Sequence, residues 1–66
     1  MSEFIKLRER DYGFTIFINI NQIAMIWENG GIVIAGNHAE GNGLIKLTKE
    51  SHEKLLAVIK ERIIND

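Results

Sequence analysis

The hydrophobic rhythm of this chain changes once, between Thr48 and Ser51. Before that point Phe14, Ile16, Ile18 and Ile20 alternate with Thr15, Phe17 and Asn19. After it His52, Leu55, Leu56, Ile59 and Ile63 recur at spacings of three and four. Side chains of a strand change face at every residue, whereas those of a helix return every 3.6 residues, so the first pattern demands strands and the second a helix. The fold class predicted is α+β: an antiparallel β-meander of four to five strands, packed by one C-terminal amphipathic helix.

A chain of 66 residues has room for one domain, taken here as residues 1–66. Domains of this size bury only about 60% of the surface exposed by the unfolded chain. Their cores supply about 3–5 kcal/mol unless a disulfide, a metal or a partner subunit adds to it. Cysteine is absent, which removes disulfides and thiolate zinc sites. Two histidines and scattered carboxylates make a poor structural metal site, and no cofactor is expected. Association with another subunit remains, so a homo-oligomer is a standing expectation.

Charge is close to balanced, at −1, which argues against a strongly cationic nucleic-acid binder. No segment approaches the roughly 20 apolar residues of a membrane span. The first residues, Met1-Ser2-Glu3-Phe4-Ile5-Lys6, lack the basic start and apolar run of a secretory signal. A cytoplasmic protein is therefore expected.

Along the chain, residues 4–10 alternate as a first strand with Ile5 and Leu7 on one face. Asp11-Tyr12-Gly13 supplies turn chemistry. Residues 14–20, dense in β-branched and aromatic side chains, form the second strand. Asn19 and Asn21 mark a bend before a third strand over residues 23–27, where a helical reading is possible but would be short. Asn29-Gly30 is the pair that best supports a type I′ hairpin, with residues 32–34 as the returning strand. The Gly-rich stretch 36–43 reads as a long hairpin tip, followed by a fifth strand over residues 44–47.

Thr48 or Ser51 is expected to cap the helix, since either hydroxyl can accept a bond from a first-turn amide. Glu50 and Glu53 suit its positive end, and Lys60 and Arg62 its negative end. Leu55, Leu56, Ile59 and Ile63 make the apolar stripe, with Val58 at its edge, and should lie against Ile16, Ile18 and Ile45 or their neighbours. Phe17 then points to the opposite sheet face, beside Val33 and one of Ile26 or Trp27. An exposed apolar patch on a small protein marks an interaction surface, so Phe17, Trp27 and Val33 are the candidate interface. The competing expectation is a sheet that curls enough to bury Phe17.

Lys6, Arg8 and Arg10 fall on one strand face and, with Lys46, form the candidate anion or nucleic-acid contact. The plainer account is a solvated face whose long cations protect a strand edge. His38 and Glu40 lie in the Gly-rich loop and His52 opens the helix, short of the three or four ligands that a metal site needs. The glycines of 36–43 lead into a strand, not into the helix N-terminus that a phosphate cradle uses. Ser51, His52 and Glu53 are consecutive, and successive helix residues diverge by about 100°, so they do not form a triad. No catalytic residue is assigned.

Residues 4–7, the turn, a strand ending Ile18-Asn19-Ile20, the segment 23–26, a hairpin and a helix introduced by Lys49-Glu50-Ser51-His52-Glu53 resemble the small bacterial flagellar protein family FlbD, also called SwrD. The resemblance spans nearly the whole chain. It implies the same strand-and-helix fold and an accessory role in a bacterial assembly such as the flagellar motor, and it carries over no catalytic residues. Residues 27–31 depart from the family's Pro-Asp-containing turn, and the loop at 36–43 is longer. The function expected is thus that of a small non-catalytic interaction protein acting through an exposed sheet face or edge. The alternative is a small nucleic-acid-binding module using the basic strand face.

Overall fold

The structure, a computed structural model, describes residues 3–35 and 43–64. Five strands precede one helix: β1 (Phe4–Arg8), β2 (Thr15–Asn19), β3 (Ile23–Ile26), β4 (Gly31–Ile34), β5 (Leu44–Lys46) and α1 (Lys49–Ile59). Single 3-10 turns at Ile20–Gln22 and Lys60–Arg62 follow β2 and α1. The predicted α+β class and the strand-to-helix order are those of the structure. The predicted hairpin tip lies outside the described residues except for Gly43, as do His38 and Glu40.

The meander is divided into two sheets, β1–β2 and β3–β4–β5, both antiparallel. Asn19 makes the corner between them: its Oδ1 accepts the Asn21 N–H at 3.0 Å and caps the 3-10 turn. The sheets meet again at an isolated bridge between Glu9 and Leu47. There Arg10 N–H donates to the Lys46 carbonyl at 2.7 Å, and Thr48 N–H to the Arg8 carbonyl at 3.1 Å. The meander therefore curls until its last strand reaches its first.

Ile5, Leu7, Ile18, Ile32, Leu47 and Leu55 form the buried core, entirely aliphatic. Leu55 comes from the helix, and Ile16, Ile45 and Ile59 pack at the margin of the cluster. The apolar stripe is shorter than the periodicity suggests. Ser51, His52 and Leu55 are buried, Leu56 and Ile59 are half-buried, and Ile63 lies exposed beyond the 3-10 turn. Lys60 and Arg62 belong to that turn, not to the last turn of α1.

Two local expectations are corrected. A type I′ turn needs positive φ at both Asn29 and Gly30, and among the described residues only glycines adopt positive φ, so Asn29 does not. The hairpin instead uses a three-residue loop, with Gly30 at φ 101° and Trp27 N–H donating to the Gly31 carbonyl at 2.7 Å. Asn29 contributes through its side chain, whose Oδ1 accepts the Gly31 N–H at 3.1 Å. In β3 the register slips between Ile23 and Met25, a bulge that leaves both Ile23 and Ile26 facing inward. The segment is a strand, not the short helix that was the other reading.

Candidate interaction surface

The pairing of β1 with β2 decides what faces outward. Partners Phe4–Asn19, Lys6–Phe17 and Arg8–Thr15 alternate with Ile5–Ile18 and Leu7–Ile16. The second set supplies core residues, so the first set forms the outer face. Phe17 is 66% exposed, and curling of the sheet does not bury it. Phe4, equally exposed, is its diagonal neighbour across the two strands, at about 7–8 Å for such positions.

Phe14 shares the inward parity of Ile16 and Ile18 but lies past the end of the core, before β2 begins. It is exposed and stacks on Tyr12, with ring centroids 5.9 Å apart. The Glu9 carboxylate holds the turn that carries them, accepting the Asp11 N–H at 2.8 Å and the Tyr12 N–H at 2.7 Å. All five aromatic side chains are thus on the surface, from Trp27 at 49% exposed to Tyr12 at 79%. A domain this small ordinarily uses such large apolar groups in its core. Their position outside is the strongest sign of a contact surface on the molecule.

Trp27 and Val33, expected beside Phe17, belong to the other sheet. Val33 pairs with Met25 and with Leu44, and these three form the outward apolar patch of β3–β4–β5. Trp27 adjoins it across Gly31, whose missing Cβ leaves room for the Leu44 and Trp27 side chains. No strand ladder joins this patch to Phe17. Ile26, offered as a possible neighbour of Phe17, faces the core instead. Phe4, Tyr12, Phe14, Met25 and Leu44 were not in the sequence-derived interface, although the alternation of Phe4 with Ile5 and Leu7 already placed Phe4 outward.

The basic row is similarly divided. Lys6 and Arg8 share the outer face of β1, whereas Arg10 lies in the turn and ion-pairs with Asp11 at 3.2 Å. Arg10 sits with Lys46 and Trp27 around a separate shallow depression. The Arg8 guanidinium donates to the Gly13 carbonyl at 3.0 Å, and Lys54 Nζ donates to the Lys6 carbonyl at 2.8 Å.

Ser51, His52 and Glu53 point to three different surroundings. Thr48 is the helix cap, accepting the Ser51 N–H at 3.2 Å, while the Ser51 hydroxyl accepts the Arg8 N–H at 2.8 Å. Glu53 is exposed. His52 is 9% exposed and its Nε2 has no hydrogen-bond partner among the described residues. It borders a groove of ≈ 530 Å³ between β3 and α1, lined mainly by Ile20, Ile23, Ile26, Leu56 and Ile59. Glu28 and Arg62 also line this groove, and among the described residues neither is hydrogen-bonded to His52 Nε2.

Among the described residues no three histidines or carboxylates converge as a metal site, and no helix is long and apolar enough to cross a membrane. No family model, curated protein or solved structure matches the chain.

Proposed function

We propose that this protein is a small non-catalytic interaction protein whose working surface is the outer face and free edge of β1–β2. The observation that carries this reading is the distribution of apolar groups: an all-aliphatic core inside, and Phe4, Tyr12, Phe14 and Phe17 outside. Exposed aromatic side chains of this density are what protein interfaces are enriched in. The resemblance to the flagellar family adds a setting, an accessory to a large bacterial assembly.

A second reading has its own support. Lys6 lies between Phe4 and Phe17 on one sheet face, so a cation is flanked by two rings on which bases could stack. Against it stand the −1 net charge and the separation of Arg10 and Lys46 from this face.

Position-specific photo-crosslinking in cells tests both. A photoreactive residue at Phe17 should form protein adducts, and one at Val58 on the exposed side of the helix should not. Adducts to nucleic acid at Phe17, lost steeply with added salt, would favour the second reading. Equal yields at the two positions would overturn the assignment of the surface.

A further inference from the structure

We infer that the partner bound at the β2 edge is a second copy of this chain, joined by antiparallel β2–β2 pairing about a two-fold axis near Phe17. The inference rests on the proposed working surface and adds the identity and geometry of one occupant.

The argument starts from where the backbone of β2 points. Ile20 N–H donates to the Glu3 carbonyl and Glu9 N–H to the Phe14 carbonyl, so the hydrogen-bonded pairs between β1 and β2 are those in phase with these two. They include Ile5–Ile18 and Leu7–Ile16. In an antiparallel ladder the intervening pairs turn their N–H and C=O groups the other way. On β1 this is visible directly, because Arg8 N–H and Lys6 C=O reach outward to Ser51 and Lys54. On β2 the same phase turns the backbone of Thr15 and Phe17 outward, where no described residue meets it.

Natural sheets blunt a free edge with charge, proline, a bulge or a covering element. Every other edge here shows such a device. β1 is covered by the start of α1, β3 is interrupted by the bulge at Ala24, and β5 is three residues long with its Lys46 carbonyl already taken by Arg10. β2, Thr15-Ile16-Phe17-Ile18-Asn19, has neither charge, proline nor bulge. A regular strand mates with another regular strand, and the regular open edge that the described residues provide is β2 itself. Pairing like with like makes the contact isologous and closes it at a dimer, whereas pairing β2 with β3 is heterologous and gives a ring or an open filament.

Centring the axis on Phe17 sets Phe17 opposite Phe17 of the second copy, exchanging both backbone bonds. Ile16 comes opposite Ile18 of the second copy on the inner side, extending the aliphatic layer over the half-buried Ile16. On the outer side the two Phe17 rings join the two Phe4 rings in one row.

Analytical ultracentrifugation combined with amide hydrogen exchange on the purified full chain tests this. The expected result is a concentration-dependent dimer in which the Thr15 and Phe17 amides exchange at least about tenfold more slowly than in the dilute monomer. Phe17→Lys, which places two ammonium groups opposite one another, should give a monomer with unchanged circular dichroism, while Met25→Lys on the other sheet should leave the dimer intact. A dimer without protection at Thr15 and Phe17, or one dissociated by Met25→Lys and not by Phe17→Lys, would overturn edge pairing. A chain that stays monomeric at high concentration would overturn it too. None of these three results touches the proposed working surface, which the crosslinking at Phe17 decides separately.

Discussion

The hydroxyl of Ser51 accepts the backbone N–H of Arg8 at 2.8 Å, across 43 residues of sequence. With Thr48 N–H on the Arg8 carbonyl and Lys54 Nζ on the Lys6 carbonyl, it makes the cap and N-terminal half of α1 a substitute for the strand that β1 lacks on that side. The helix thus closes an edge as well as covering a core. Ser51→Ala should destabilise by about 1–3 kcal/mol, since it leaves a partly buried amide without its acceptor. Thr48→Ala, which removes only the cap, should cost about 1 kcal/mol. Urea denaturation of the two variants compares them, and a smaller loss at Ser51 than at Thr48 would contradict the edge-closing role.

The helix face can be checked by contrast. Leu55 is fully buried, and Leu55→Ala should lose about 2–5 kcal/mol, enough to unfold much of a domain this small. Val58, one turn on at the edge of the stripe, is half-exposed, and Val58→Ala should stay within about 0.5 kcal/mol of the parent. Similar losses at both positions would mean that the helix is rotated from the orientation described.

Two glycines separate backbone strain from crowding. Gly13 has φ 74° with open space around a built Cβ, whereas Gly30 has φ 101° and its Cβ would lie 3.3 Å from the Leu47 carbonyl oxygen. Gly13→Ala should cost about 1–2 kcal/mol from the left-handed conformation alone. Gly30→Ala should cost more, because the crowded oxygen belongs to backbone and cannot swing aside. Thermal melts of both variants give the order, and a smaller loss at Gly30 would refute it.

His52 is a buried polar group whose Nε2 has no hydrogen-bond partner among the described residues. Replacing such a group by an apolar one of similar size is neutral or stabilising, so His52→Leu should leave stability unchanged or raise it by about 1 kcal/mol. A clear fall in Tm would show that the imidazole makes a bond in solution that keeps it there.

Much of the fold was legible because alternation is a direct record of burial. Ile18 and Leu55 were read as inward-facing and are core, and Ile5 and Leu7, read as sharing one strand face, are core as well. Phe17 was read as outward and is exposed. Legibility failed where parity and burial part company. Phe14 keeps the phase of Ile16 but overshoots the core, and the bulge at Ala24 puts Ile23 and Ile26 on one side despite their spacing of three. The candidate site was only half visible for a different reason. Grouping Phe17 with Trp27 and Val33 assumed a single flat sheet, and the corner at Asn19 places them on two.

The shift in rhythm between Thr48 and Ser51 determined, from sequence alone, that strands give way to a helix there and which side chains of each face inward. Period is a local property, and local spacing suffices to define it. Tertiary structure alone decided what that boundary does. Ser51 was read, with Thr48, as a candidate cap, and the curl of the meander instead brings Arg8 to it. Which strand edge is closed and which stays open depends on contacts between residues far apart in the chain, and no periodicity records those.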